Sequence, residues 1–179
     1  MENIRMDFPL ATAELPLPQV AKGYELVTVN AERVELWAQA LSLAFPDHPF
    51  TAARLEEEFI NKPQFDPKGV FLILKKDKPV ATAFAWLDTP EERTTGRLHW
   101  VGCDEAHRGK GLGRAVVVAV LNYLKVKGLT RATLDTQTFR LPAIQLYLDL
   151  GFVPYMEKSF EQLEAWSGVF KAFANARKR

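Results

Sequence analysis

Apolar positions along the chain change period several times, and each change marks an element. Leu112, Ala115, Val116, Ala119, Val120, Tyr123 and Leu124 follow the i, i+3, i+4 spacing of a helix with one buried stripe. Gly128 stands just beyond, where a C-terminal glycine ends a helix. Upstream, Leu98–Cys103 is short, apolar and bounded by turn formers, which predicts a strand. Tyr24–Val29 alternates toward another strand. Asn30 is a good N-cap for a helix reaching about Phe45, with Val34, Trp37, Ala38, Leu41 and Phe45 on one face. Pro46 and Pro49 break it, and Thr51 can cap a second helix over Ala52–Ile60, whose run Glu56, Glu57, Glu58 reads as a solvated face. Val70–Leu74 and Pro79–Leu87 flank the turn Lys75–Lys78 as a hairpin. Arg131–Asp135 and Phe152–Met156 predict strands on either side of a helix from Pro142 to Leu150 that stops at Gly151. Phe160, Leu163, Trp166, Val169, Phe170 and Phe173 predict a C-terminal helix over about 160–176. The proline-bearing residues 1–23 show no helical period and predict an extended arm on the domain edge.

Hairpins early and strand–helix–strand units late imply an α/β fold whose sheet has parallel and antiparallel parts. The 179 residues suffice for one domain, and neither repeats nor a linker divide residues 1–179. A formal charge of +1 gives no general attraction to nucleic acid or to an anionic membrane. The basic end at 177–179 is short and reads as a solvated terminus. Cys103 is the single cysteine, so no intrachain disulfide forms, and His48, His99 and His107 lack metal-ligand spacing; no metal is expected. Cys103 reads as a small apolar filler at a strand end, with a nucleophile as the alternative. The N-terminus lacks the features of a signal peptide and no apolar run reaches membrane-spanning length, so the expected location is cytoplasmic.

The candidate chemistry lies between the strand Leu98–Cys103 and the helix after it. Arg108-Gly109-Lys110-Gly111-Leu112-Gly113-Arg114 places three glycines and three cations at a helix start. The first turn of a helix offers unpaired N–H groups and the positive end of its dipole, and glycines let a ligand approach the backbone. The loop therefore reads as an anion cradle for a phosphate or pyrophosphate, against the alternative of a glycine-rich turn with solvated cations. Neither GxxxxGK[ST] nor GxGxxG is present.

The same stretch resembles the coenzyme loop of the GCN5-related N-acetyltransferases, whose signature [Q/R]xxGx[G/A] is matched by Arg108, Gly111 and Gly113. A second stretch is similar to that family's A-x-x-[LF]-Y-x-x-x-G-F, matched by Ala143, Leu146, Tyr147, Gly151 and Phe152. Two positions depart from the pattern: Arg140 stands where asparagine is frequent, and Glu105 where proline is frequent. The resemblance covers about residues 70–156. It implies a mixed, mainly antiparallel central sheet with helices on both faces. It would also put a further strand at the C-terminus, where the spacing here predicts a helix instead.

By the same resemblance the cosubstrate is acetyl-coenzyme A, with its pyrophosphate on residues 108–114. Its pantetheine arm would pair with backbone groups of Val101, Gly102 and Cys103 as an added strand, in a gap opened beside a bulge. Gly102 is compatible with that bulge or with crowding by Trp86 or Trp100. Tyr147 resembles the tyrosine that hydrogen-bonds the coenzyme sulfur and acts as general acid; a core tyrosine is the alternative. His99 is the candidate general base, since its unperturbed pKa suits proton removal near neutrality; a packed strand histidine, a water chain and Asp135 stay open beside it. The implied reaction is direct acetyl transfer to a small-molecule or peptide amine, against a non-catalytic acyl-coenzyme A sensor or an interaction module without ligand. The aromatic stretch Phe45–Phe50 is a candidate acceptor wall, and a homodimer stays open.

Overall fold

The computed structural model describes residues 2–156 and 159–176; the basic end at 177–179 lies outside them. Seven strands form one sheet in the order β2-β3-β4-β5-β6-β1-β7. They are β1 (Asn3–Phe8), β2 (Glu25–Thr28), β3 (Val70–Lys75), β4 (Lys78–Trp86), β5 (Thr95–Cys103), β6 (Arg131–Gln137) and the short β7 (Val153–Pro154). The helices are α1 (Val34–Ala44), α2 (Ala52–Leu55), α3 (Leu112–Val126), α4 (Leu141–Leu150) and α5 (Phe160–Ala176). A wide π turn, Glu56–Ile60, continues α2, and its three glutamates are solvent-exposed. All neighbouring strands run antiparallel except β5 and β6, which are parallel.

Consecutive residues of the central strands enter two separate cores, as a period of two requires. Ile73 and Ala83 belong to the core under α3, whereas Leu72, Leu74 and Phe84 belong to the core under α1 and α2. The sheet is therefore covered on both faces. The C-terminal helix lies at the predicted residues and buries Ala165, Trp166 and Val169. Among the described residues no helix is long and apolar enough to cross a membrane.

The N-terminal residues differ from the edge arm expected of them. Asn3–Phe8 is an interior strand, paired with β6 from Asn3↔Gln137 to Phe8↔Ala132 and with β7 at Met6↔Pro154. The physical reason is an alternation: Ile4, Met6 and Phe8 are buried, while Asn3 is exposed and Arg5 and Asp7 are half-buried. This strand fills the place between β6 and β7, so the sheet reaches seven strands while the C-terminus stays helical.

Two irregularities in β5 shape the site. Opposite β4, Gly102 pairs with Thr82 and His99 with Phe84, so Trp100 and Val101 together face Ala83 alone. That is a bulge, and Trp100 carries its left-handed φ of 46°. Gly102 is needed for a different reason: a Cβ there would stand 2.3 Å from the Ala44 Cβ and 2.9 Å from the Phe45 ring. The crowding comes from the end of α1, not from Trp86 or Trp100. On its other side β5 pairs with β6 only at Thr95↔Arg131, Gly96↔Ala132 and Arg97↔Thr133. Beyond Arg97 the strands diverge, and β6 stays with β1.

Candidate active site

The divergence of β5 and β6 produces two adjoining cavities. The larger, about 690 Å³, is bounded by Val101–Cys103, the loop before α3, the end of α1 and the first turns of α4. The smaller, about 210 Å³, lies in the gap itself, between Leu98–Val101 of β5 and Leu134–Gln137 of β6. Phe45, Val101, Arg140, Ala143 and Tyr147 line both, so these residues mark the junction.

The loop is held by local bonds. Asp104 Oδ1 accepts from the Ala106 N–H at 3.3 Å, and the Tyr24 hydroxyl lies 2.9 Å from His107 Nδ1. Gly109 and Gly111 have φ of 75° and 76°, a region costly for residues with a Cβ, and a Cβ at either would meet no protein atom within 4 Å. The Ala115 N–H makes the first helical bond, to the Gly111 carbonyl at 3.0 Å. The N–H groups of Leu112, Gly113 and Arg114 consequently have no helical acceptor. Arg108 and Arg114 are exposed and line the larger cavity. Lys110 does not: its Nζ donates to the Ala106 carbonyl at 3.0 Å, away from the wall. The loop thus offers open glycine surface, free backbone donors and two of its three cations, which suits a phosphate ester.

Val101 has no register partner on β4 or β6, and Gly102 and Cys103 leave their β6-facing edge open. This is an unpaired stretch of strand beside a cavity, the requirement for strand addition. Burial pushes the Cys103 thiol pKa up, and Sγ donates toward the Asp104 carbonyl at 3.5 Å, which disfavours the thiolate a nucleophile needs.

Tyr147 is carried by α4, which begins with Pro142 in its first turn and ends at Gly151 with φ of 103°. The Phe152 N–H bonds the Tyr147 carbonyl at 3.0 Å, and the two rings lie 5.7 Å apart. Only 5% of Tyr147 is exposed. Burial raises its hydroxyl pKa and Arg140 opposes the rise, so the phenol keeps its proton at neutral pH.

His99 reaches the smaller cavity alone. Its ring meets Phe84 at 5.1 Å, Phe59 at 5.9 Å and Trp100 at 5.9 Å. Desolvation by these neighbours, helped by Arg97 and opposed by Asp88 and Asp135, brings its pKa down to about 4. His99 is therefore neutral over pH 6–7, and the pH limb a histidine base would give there is not expected. Asp135 shares Arg97 with Asp88: its carboxylate accepts from Arg97 Nη1, while Arg97 Nη2 donates to Asp88 at 2.9 Å. Phe45 and Phe50 pack edge-on to Trp100, both at 4.9 Å; of the expected stretch Phe45–Phe50, Phe45 lines the gap and Phe50 stands behind Trp100.

A stability prediction follows from His99. Below pH 6.5 the unfolded histidine takes up a proton that the folded one refuses until about pH 4, so its stabilising contribution is complete above 6.5 and lost as pH falls toward 4. Urea unfolding should show the parent losing on the order of 2 kcal/mol more than His99→Gln across that window. Parallel curves would contradict the burial argument.

Sequence reasoning missed Phe139 and His107 as lining residues, and Arg140 entered it only as a departure from a motif. Phe139 and Arg140 carry no local signal, because the loop that follows β6 meets the larger cavity only through the divergence of the sheet, and His107 is set before the glycine loop beside Tyr24, a partner distant in sequence.

Residues 34–152 match the model of the Acetyltransferase (GNAT) family. The chain belongs to that family. It is 34% identical over 155 residues to the mycothiol acetyltransferase of Thermobispora bispora, covering 83% of this chain and 52% of that protein. The chain spans about half the length of the curated relatives it matches. Among solved structures it is similar to a GCN5-related N-acetyltransferase from Sphaerobacter thermophilus (TM-score 0.67, 23% identity, 86% of this chain and 48% of that one). It also resembles an aminoglycoside N-acetyltransferase in complex with coenzyme A (TM-score 0.62, 17% identity, 76% and 92%). At these identities the structural likeness shows the fold.

Proposed function

We propose that residues 1–179 act as one domain that transfers an acetyl group from acetyl-coenzyme A to an amine within a ternary complex. The observation that carries this reading is the meeting of two cavities at Tyr147, one walled by an anion-binding helix start and the other by a split sheet. The residues present fit the coenzyme: open glycine surface at 109 and 111, Arg108 and Arg114, and the unpaired edge at Val101–Cys103. When bound, acetyl-coenzyme A supplies an activated acyl group. Arg108, Arg114 and the N–H groups of residues 112–114 hold its pyrophosphate. The edge of β5 takes its pantetheine amides. Tyr147 keeps a proton for the sulfur, and the β5–β6 gap admits the amine. His99, neutral and poorly basic, borders that gap as a hydrogen-bonding wall, and water carries the amine proton away.

The test is thiol release from acetyl-coenzyme A in the presence of an amine panel, read against a no-amine control. Amine-dependent release supports transfer. Coenzyme binding with no amine-dependent release would favour an acyl-coenzyme A sensor.

A further inference from the structure

We propose that Arg140 selects an acceptor that carries a carboxylate close to its amine. The inference rests on the acetyl-transfer reading and names its acceptor class. Arg140 lines both cavities at their junction, beside Tyr147. Among the described residues its buried Nε has no hydrogen-bond partner, and no carboxylate oxygen lies within 4.0 Å of its guanidinium. Bordering the cavities without an anionic partner, the guanidinium can take one from a ligand.

The side chain is steadied without using its donors. Its guanidinium carbon lies 5.4 Å from the Phe45 ring centroid and 5.5 Å from that of Phe139. Arg97 is held by two carboxylates, Asp88 and Asp135, and His99 is uncharged near neutrality. Arg108 and Arg114 stand at the loop end of the larger cavity, outside the gap. Among the described residues Arg140 is thus the cation of the gap without a carboxylate partner, and it is the one that borders both cavities. A guanidinium presents parallel donors that match a carboxylate, which makes an anionic group on the acceptor the fitting partner. The aromatic wall of Phe45 and Trp100 leaves the rest of such an acceptor apolar surroundings.

The experiment compares the α-amino acids with their carboxamides, pair by pair, as acceptors for the full chain. For at least one pair the free acid should be acetylated tenfold or more faster in kcat/KM, the range of one charge-assisted bond pair. Arg140→Gln should collapse that acid-to-amide ratio to near one. Calorimetry with phenylalanine and phenylalaninamide gives a readout without turnover: the acid should bind more tightly, and Arg140→Gln should remove the difference. Several results overturn the proposal: no acid preference in the parent, a preference that survives Arg140→Gln, or an equal loss for acid and amide. The last would place Arg140 on the thioester carbonyl. Failure of coenzyme A to bind would instead sink the transfer reading, while the acid–amide calorimetry still reads Arg140 directly.

Discussion

Tyr147→Phe is expected to lower turnover by about a hundredfold or more, the usual contribution of a positioned proton donor. The ring is buried against Phe152 and stays there in the variant, so packing changes little. What is lost is one hydroxyl at the junction of the two cavities. Its raised pKa keeps it protonated, and the cationic Arg140 beside it eases the loss of that proton when a thiolate forms. The coenzyme dissociation constant should stay within a few-fold, giving the signature of an interaction made only in the transition state. Steady-state kinetics with a calorimetric titration of the same preparation separate the two quantities. Parent-like turnover would return Tyr147 to the core and leave the thiolate to solvent.

Gly111→Val should have the opposite signature, a loss of coenzyme affinity of at least tenfold. Gly111 caps α3 in the left-handed region, where a residue with a Cβ costs roughly 1–2 kcal/mol and a branched one is strained further. Among the described residues no atom occupies the space a Cβ would take, so the variant should still fold with a modest fall in Tm. A ligand approaching the free N–H groups of residues 112–114 would meet the valine methyls, and backbone relief of the strain would turn those donors aside. Thermal melting and coenzyme titration should therefore disagree, with a small effect on the first and a large one on the second. Unchanged affinity in a folded Gly111→Val protein would mean that the anion sits elsewhere.

These two positions were legible in the sequence because their signals are local. Glycine spacing, a cap and an apolar stripe fix the loop and α3 within twenty residues, and Pro142 with Gly151 brackets the helix that carries Tyr147. The strand Asn3–Phe8 was legible as an alternation of Ile4, Met6 and Phe8, yet the prolines after it suggested an arm. Its partners β6 and β7 are more than a hundred residues away, and only they decide between edge and interior. The bulge was expected from the resemblance, beside Gly102, but its place at Trp100 and Val101 was not legible, since Trp100 takes a positive φ with no glycine to announce it. Gly102 carried a signal, but the atoms that require it belong to Ala44 and Phe45 at the end of α1. Lys110 has the composition of a phosphate ligand and the position of a capping donor to Ala106. His99 shows the same limit in energy: its place beside the gap follows from the strand, while its low pKa comes from Phe59, Phe84 and Trp100, which meet only in the folded chain.

Isothermal titration of the full chain with coenzyme A asks whether the cleft between the α3 start and the parted strands holds the coenzyme. One site per chain is expected, saturating below about 1 mM, the upper range of ordinary enzyme–substrate affinities. The Tm should rise with coenzyme concentration by mass action. No heat and no shift in Tm at millimolar coenzyme A would contradict it.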